Sequence, residues 1–211
     1  PLNMSDRDLI LYSYNFRSRG ERVMWALNET GLAYQTVRLN PLKGENRTPE
    51  FLALNPGARI PVLVHGDFVL TESLAILDYV GDLVPELGLV PQAGQARHRY
   101  REIMCFMQSE IESYLWVFDQ STRLRKIYLW PEGTAQSAMA RAESSLPRLF
   151  ARTPANGYLL GDAFSNADIY AYHLLAWAEA NGAKIPDHVR EYMQGLGQRP
   201  GCPDSIKPQL D

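Results

Sequence analysis

The sequence has few of the residues that build metal centres or disulfide frameworks. It contains two cysteines and four histidines in 211 residues. Cys105 and Cys202 lie far apart, no Cys-x-x-Cys motif occurs, and the histidines are scattered along the chain. Such spacing supports neither a zinc site nor a disulfide framework. We therefore expect a protein that holds no metal.

Long apolar runs and a strong charge imbalance are also missing. No stretch approaches the roughly 20 apolar residues that span a bilayer, and the polar start of the sequence contains no apolar signal core. The formal net charge of −3 disfavours nucleic acid or an anionic membrane as a partner. We expect a cytoplasmic protein with no nucleic-acid and no membrane partner.

Strand and helix patterns alternate in the first third of the sequence. The predicted order is βαβαββα, with strands at 9–14, 34–39, 60–64 and 68–70 and helices at 19–29, 49–54 and 72–80. Gly31 follows the first helix, and Thr48 with Pro49 starts the second. This alternation predicts an α/β domain over residues 8–81, with a mixed sheet and helices on both of its faces.

The rest of the sequence predicts helices only. Prolines and glycines make residues 82–94 a linker, and residues 95–211 form an all-helical domain. In the predicted helix 97–120 one apolar face contains Ile103, Met107, Ile111, Tyr114, Leu115 and Phe118. Glu102, Glu110 and Glu112 are predicted to lie mostly away from that face. Further helices are predicted at 134–150 and from Ser165 onward, where Ser165 and Asp168 have the spacing of a capping box.

A proline at the second residue of a strand, Ile60-Pro61, is the most informative local feature. Proline there removes a ladder hydrogen bond, and we expect the Ile60-Pro61 peptide to be cis, with the Ile60 main chain turned toward a ligand. The hairpin that follows leads to Glu72-Ser73 at a helix start. With the turn 13–22 and the Ser165/Asp168 box, these elements resemble the cytosolic glutathione S-transferases over residues 8–200, with zeta-, phi- and alpha-like features of the bacterial type.

The resemblance implies a thioredoxin-like N-terminal domain, an all-α helical-bundle domain and a homodimer. It also implies a glutathione site. Glu72 and Ser73 would bind the γ-glutamyl end, where helix N–H groups suit a carboxylate, and the Ile60 main chain would pair with the cysteinyl backbone. Asn46, Arg47 and Arg59 match positions that hold the glycyl end in related enzymes. A solvated surface charge is the alternative interpretation of the two arginines.

The catalytic position departs from the family pattern. Ser13 stands where related enzymes carry a catalytic tyrosine, and Arg17 stands where others carry serine or cysteine. The run from Asn15 to Glu21 resembles the alpha-type enzymes, in which the second arginine, here Arg19, approaches the glutathione sulfur. We therefore assign thiolate stabilisation to Ser18 and Arg19, with Arg17 as a third candidate. The alternative is that Ser18 only caps the helix and that the arginines pair with Glu21 or Glu29.

The predicted function is binding of glutathione and addition of its thiolate to a small electrophile, as in detoxification. The second-substrate pocket would lie in the cleft between the domains, with an apolar and aromatic wall of Tyr14, Met107, Ile111, Tyr114 and Trp116. A glutathione-dependent isomerase or lyase is one alternative, because Leu11–Tyr14 and Arg22-Val23 also resemble the zeta-type isomerases. A non-catalytic binding or regulatory protein, or one that uses another thiol, is a second alternative.

Overall fold

The structure is a computed structural model, which describes residues 9–14, 18–151 and 157–207. These residues form two compact units. One contains the described residues up to Val90 together with those from Arg199 onward, and the other runs from Pro91 to Gln198. The domain limits 8–81, 82–94 and 95–211 stay a prediction.

The first unit is a thioredoxin-like domain with a four-stranded mixed sheet, as predicted. Its strands are β1 (Leu9–Ser13), β2 (Gln35–Arg38), β3 (Val62–His65) and β4 (Phe68–Thr71), in the order β2-β1-β3-β4. β1 pairs with β2 in parallel, and β3 is antiparallel to both β1 and β4. The helices are α1 (Arg19–Thr30), α2 (Pro49–Leu54) and α3 (Ser73–Leu83), with 3-10 turns at Pro41–Lys43, Glu45–Arg47 and Pro85–Leu87.

Alternation along β1 explains which of its residues face the core. Leu9, Leu11 and Ser13 are buried, and Ile10 and Tyr12 are half-buried. The predicted inward residues of α1, Val23, Ala26 and Leu27, have no exposed surface. Gly31 ends α1 at a φ of 69°, the left-handed conformation that glycine adopts without steric cost.

In the part that the structure describes, the regular elements of the second unit are helices. They are α4 (Gly94–Met107), α5 (Ser113–Ser121), α6 (Thr134–Phe150), α7 (Asn166–Ala180) and α8 (Asp187–Gly197). Ser165 and Asp168 form the predicted capping box, and every residue from Ser165 to Leu175 is buried, so α7 is the central helix. The helix α8 has no counterpart in the sequence prediction.

The long helix predicted at 97–120 is interrupted, and of its three glutamates only Glu112 is buried. One turn of π-helix, Gln108–Glu112, joins α4 to α5. A π turn holds one residue more than the corresponding α turn, so the face that points inward changes after it. Glu112 is therefore buried, and Phe118 is half-buried. Among the described residues, no helix is both long enough and apolar enough to cross a membrane.

Candidate functional site

The sheet brings most of the sequence-predicted site residues to one edge. Tyr12 pairs with Val62, Val62 pairs with Thr71, and Ser13 pairs with Arg38. The last residues of β1, β2 and β4 therefore meet the first residue of β3 at the same edge. The segments that leave or enter the sheet there carry Ser18, Arg19, Asn46, Arg47, Arg59, Ile60, Glu72 and Ser73.

The Ile60-Pro61 peptide lies at this edge and is cis, as predicted. Pro61 directly precedes Val62, the first residue of β3, and Glu72 directly follows Thr71, the last residue of β4. Because Val62 and Thr71 are partners in the ladder, Ile60 and Pro61 come close to the start of α3.

The start of α3 differs from the other helix starts in its domain. Ser18 caps α1 and Thr48 caps α2 through their side chains, whereas no described side chain caps α3. Glu72 has a φ of 65° and a ψ of 109°. For a non-glycine residue this left-handed conformation costs about 1–3 kcal/mol. The first N–H groups of α3 are thus left for an anion at the positive end of the helix.

Glu72 and Ser73 also differ in exposure. Glu72 is exposed, while Ser73 is 6% exposed at the first position of α3. The carboxylate of Glu72 is thus available to a cation in solvent. The buried hydroxyl of Ser73 lies beside main-chain donors, which suits a carboxylate.

A buried asparagine connects the two segments predicted to hold the glycyl end. Asn46 is 8% exposed, and its Nδ2 donates to the Ala58 carbonyl oxygen at 2.7 Å. Its Oδ1 is buried and accepts no hydrogen bond within the part of the chain that the structure describes. Ala58 has a φ of 51°, which turns its carbonyl toward Asn46. Arg47 and Arg59, on either side of this bridge, are exposed and form no ion pair with described residues.

Asn55 fixes the same loop from within and was missed in the sequence analysis. Its Oδ1 accepts a hydrogen bond from the Gly57 N–H at 3.0 Å, and its Nδ2 donates to the Arg59 carbonyl at 2.9 Å. The Asn55-Pro56-Gly57 sequence is typical of such a turn. That pattern could have identified Asn55 as the residue that shapes the approach to Ile60.

Ser18, to which the sequence assigns thiolate stabilisation, is a helix cap. Ser18 Oγ donates to the Tyr14 carbonyl at 2.5 Å and accepts from the Gly20 N–H at 3.3 Å. The Ser18 N–H donates to Glu21 Oε2 at 2.9 Å. Ser18 therefore caps α1, as the alternative interpretation predicted. Its role toward a thiolate stays a prediction, as does that of Arg19, and Arg17 lies outside the described residues.

Ser13 and Glu29 explain two further features of this region. Ser13 has no exposed surface, and a Cβ on Gly20 would lie 1.8 Å from its Oγ. The end of β1 and the start of α1 thus pack too closely for a large side chain at either position. Glu29 pairs with Arg199 and accepts from Trp25 Nε1. The alternative pairing of Arg17 with Glu21 or Glu29 lies outside the described residues, and that of Arg19 stays a prediction.

The residues predicted to form the second-substrate wall have different exposures. Tyr14 and Tyr114 are half-buried, as is Trp116, while Met107 and Ile111 are buried. The Arg141 guanidinium lies 5.4 Å from the centre of the Tyr114 ring, and its Nη2 is 3.4 Å from the Tyr114 hydroxyl. This contact raises the pKa of Arg141. The role of the wall stays a prediction.

Comparison with known proteins identifies a family. The model of the glutathione S-transferase N-terminal domain matches residues 7–82, and the model of the C-terminal domain matches residues 121–200. Maleylacetoacetate isomerase of Mus musculus is 32% identical over 177 residues, which is 81% of this chain and 78% of that protein. Glutathione S-transferase 1 of Dianthus caryophyllus is 47% identical over 87 residues, 41% of this chain and 39% of that protein.

Solved structures agree over nearly the whole chain. A glutathione transferase of Methylococcus capsulatus has a TM-score of 0.81 at 28% identity and covers 94% of this chain and 97% of its own. A glutathione transferase homologue of Sulfitobacter, crystallised with bound glutathione, has a TM-score of 0.77 at 27% identity, with 92% and 94% coverage. The alignments with three curated relatives span only 39%, 37% and 49% of those proteins.

Proposed function

The chain belongs to the glutathione S-transferase superfamily, and from that premise we propose that it binds glutathione and stabilises its thiolate for addition to a small electrophile. The start of α3 is the observation that carries this proposal. It combines an uncapped helix N-terminus, a buried Ser73 hydroxyl and an exposed Glu72 carboxylate. An α-amino acid group, with its carboxylate and ammonium on one carbon, needs this pairing of donors and acceptor.

The remaining parts of glutathione follow along the same edge of the sheet. In this proposal the γ-glutamyl carboxylate accepts from Ser73, and its ammonium pairs with Glu72. The cysteinyl backbone pairs with the Ile60 main chain as an added strand does. The glycyl carboxylate accepts from Arg47 and Arg59, whose exposed guanidinium groups flank the bridge from Asn46 to Ala58.

Thiolate formation is the chemical step. A thiol with a pKa near 8.5 is mostly protonated at neutral pH, and lowering the pKa by ~2 units requires about 2.7 kcal/mol of preferential stabilisation of the thiolate. The positive end of α1, the Arg19 guanidinium and the Ser18 hydroxyl supply it in this proposal. Ser18 Oγ donates to the Tyr14 carbonyl, so this proposal requires its proton to turn toward the sulfur. The thiolate then forms a carbon–sulfur bond, and the leaving group departs with its electron pair.

The experiment is titration of glutathione bound to the purified protein, followed by ultraviolet absorbance of the thiolate. We expect the bound thiol to titrate below the pH at which free glutathione does. We also expect retention on a glutathione resin and conjugation of chlorodinitrobenzene. Retention with an unshifted titration would remove the transferase proposal and leave glutathione binding only. Loss of retention would indicate another thiol.

A glutathione-dependent isomerase is the second candidate. It is favoured by the similarity to a Mus musculus protein named maleylacetoacetate isomerase, which extends over 78% of that protein. In that reaction the thiolate adds to a cis double bond, the resulting single bond rotates, and elimination returns glutathione and the trans isomer. Arg17-Ser18-Arg19 stands here in place of the Ser-Ser-Cys of the zeta-type isomerases. An assay of cis–trans conversion of maleylacetoacetate that shows turnover only with added glutathione would establish this activity.

The predicted homodimer, the cytoplasmic location and the role in detoxification are further parts of the proposal. Sedimentation measures the mass of the protein in solution and thereby tests the predicted homodimer. Lyase chemistry and non-catalytic binding are separated from conjugation by the same titration and turnover assays. Within the described residues, no group of three or more histidine, cysteine, aspartate or glutamate side chains is arranged to hold a metal ion.

A further inference from the structure

Two asparagine side chains hold three consecutive residues of the loop before β3. Asn55 accepts from the Gly57 N–H at 3.0 Å and donates to the Arg59 carbonyl at 2.9 Å. Asn46 Nδ2 donates to the carbonyl of Ala58 at 2.7 Å. The Ala58 N–H donates to the Asn55 main-chain carbonyl at 2.9 Å. The main chain of the loop is therefore held by hydrogen bonds at each of the three residues from Gly57 to Arg59.

Ala58 has a backbone conformation that needs such support. Its φ of 51° lies in the left-handed region, which a residue with a Cβ occupies only at a cost in free energy. Ala58 is 9% exposed and Asn46 is 8% exposed, and water does not replace a hydrogen bond that is lost between buried groups. The bond from Asn46 thus helps to maintain the conformation of Ala58, and with it the course of the loop.

The bond from Asn55 to Arg59 also fixes the direction of the Ile60 N–H. The Arg59 carbonyl and the Ile60 N–H belong to one planar peptide unit, in which the two groups point in opposite directions. Holding the carbonyl therefore aligns the N–H. The main chain of Ile60 itself forms no hydrogen bond with another described residue. Its N–H is thus aligned by Asn55 and left for an external acceptor.

We propose that Asn55 and Asn46 are positioning residues that hold the Ile60 main chain ready for the cysteinyl backbone of the ligand. Neither side chain touches the ligand in this proposal. Asn55 aligns the Ile60 N–H, and Asn46 maintains the conformation of Ala58. Asn46 thereby receives a role other than the contact with the glycyl end that the family resemblance implies. The inference rests on the proposed function, because it concerns how glutathione is bound.

Binding of glutathione and of γ-glutamylcysteine separates positioning from contact with the glycyl end. γ-Glutamylcysteine keeps the cysteinyl N–H and an oxygen acceptor on the next carbon, but it lacks glycine. Asn55→Ser and Asn46→Leu should therefore raise the dissociation constants of both ligands by about fivefold or more. Arg47→Ala should weaken glutathione to a similar extent and change the binding of γ-glutamylcysteine by less than about twofold. Calorimetry measures these constants on folded protein, below the thermal unfolding of each variant.

Asn28→Ser is the matched control for Asn55→Ser. Asn28 lies in the same compact unit, donates to the Gly201 carbonyl at 3.0 Å and accepts from the Tyr34 hydroxyl at 2.8 Å. Its amide thus has the same two roles as that of Asn55, and neither dissociation constant should change. Serine at position 55 keeps an oxygen for the Gly57 N–H and lacks only the amide donor.

Hydrogen exchange of the Ile60 amide is the second measurement, because a purely structural role would not change it selectively. Glutathione should protect this amide in wild-type protein and in Asn28→Ser. In Asn55→Ser the protection should be lost, while the amides of β1 remain protected.

Two results would overturn the positioning role. One is binding of both ligands by Asn55→Ser as tightly as by wild type. The other is an Asn46→Leu variant that weakens glutathione but not γ-glutamylcysteine, which would place Asn46 at the glycyl end. If Asn46→Leu does not fold, Asn55→Ser decides alone, because it leaves the turn acceptor in place. Wild-type protein that binds neither ligand would instead remove the proposed function and this inference with it.

Discussion

At the scale of single residues, Gly20 determines how closely α1 approaches the end of β1. A Cβ added to Gly20 would lie only 1.8 Å from Ser13 Oγ and 2.8 Å from Ser13 Cβ. Ser13 is fully buried, so it has no room to withdraw. The start of α1, with Ser18 and Arg19, is therefore held against the sheet by the absence of a side chain.

Gly20→Ala should destabilise the protein by about 1–3 kcal/mol, because an extra methyl group in a packed contact forces a backbone shift. Urea unfolding measures the effect. Gly195→Ala is the control, since Gly195 lies in α8 and a Cβ there has nothing within 4 Å. Alanine in an open helical position should stabilise by about 0.5–1 kcal/mol. Equal unfolding midpoints for the two variants would contradict the packing argument.

Ser18 and Ser73 should have separable effects on bound glutathione. Ser18→Ala and Arg19→Ala should raise the pKa of the bound thiol toward its free value. In Ser18→Ala the thiolate should lose roughly 0.5–1.5 kcal/mol of hydrogen-bond stabilisation, or up to ~3 kcal/mol where the acceptor is charged. Ser73→Ala and Glu72→Ala should raise the dissociation constant and leave the thiol pKa unchanged. Ultraviolet titration and calorimetry measure the two quantities. A thiol pKa that moves in Ser73→Ala but not in Ser18→Ala would reverse the assignment.

At the scale of elements, Asp168 organises more than the start of α7. It accepts hydrogen bonds from the N–H and the hydroxyl of Ser165, both at 2.9 Å. It also accepts from the Leu159 N–H at 2.8 Å and from the Tyr192 hydroxyl at 2.7 Å. The carboxylate thus joins the loop before α7, the cap of α7 and the helix α8.

Asp168→Ala should destabilise the protein by at least about 2 kcal/mol, because it leaves several buried donors without an acceptor. Tyr192→Phe removes one of these bonds and should cost less. Thermal unfolding measures both variants. Glutathione affinity of the folded fraction should not change, and its selective loss at full stability would show that Asp168 acts in binding.

The contribution of Asp168 should also depend on pH. Burial raises the pKa of this carboxyl above its ordinary value, although four hydrogen bonds oppose the shift. A raised pKa in the folded state means that the native protein holds the proton more tightly than the unfolded chain does. The free energy of unfolding should therefore fall as pH rises from the ordinary carboxyl pKa through the folded-state pKa. Urea unfolding across this range should show a shallower fall in Asp168→Ala than in wild type.

At the scale of the whole molecule, the chain returns to its first compact unit at Arg199. Arg199 Nε and Nη2 donate to the two carboxylate oxygens of Glu29 at 2.9 and 2.7 Å. Asn28 Nδ2 donates to the Gly201 carbonyl at 3.0 Å. The thioredoxin-like domain is thus completed by residues that follow the helical domain in sequence.

Arg199→Ala should destabilise α1 by about 1–3 kcal/mol, because it removes two charge-assisted bonds to a Glu29 carboxylate that is only 11% exposed. Hydrogen exchange of the α1 amides measures the change. Lys207→Ala is the control, since Lys207 pairs with an Asp204 side chain that is 96% exposed, and no measurable change is expected. Equal exchange rates in the two variants would show that the segment from Arg199 does not support α1.

The sequence by itself determined the order of elements, the helix caps and the residues of the proposed glutathione site, which meet at one sheet edge. Each depends on local chemistry. Strand alternation, Gly31 after α1, the Ser165/Asp168 box and the proline in Ile60-Pro61 act within a few residues, and local patterns report such interactions directly. The same local patterns did not reveal α8. They also predicted one continuous apolar face for the helix 97–120, which the π turn interrupts.

Only the tertiary structure decided which polar groups meet across the chain. Glu112 reaches Tyr170, Asn46 reaches Ala58, and Arg199 reaches Glu29. These partners are separated by 12 to 170 positions. No periodicity encodes them, because a buried polar group requires a partner but does not specify where in the sequence that partner lies. Packing of α7 against its neighbours and closure of the sheet make that choice.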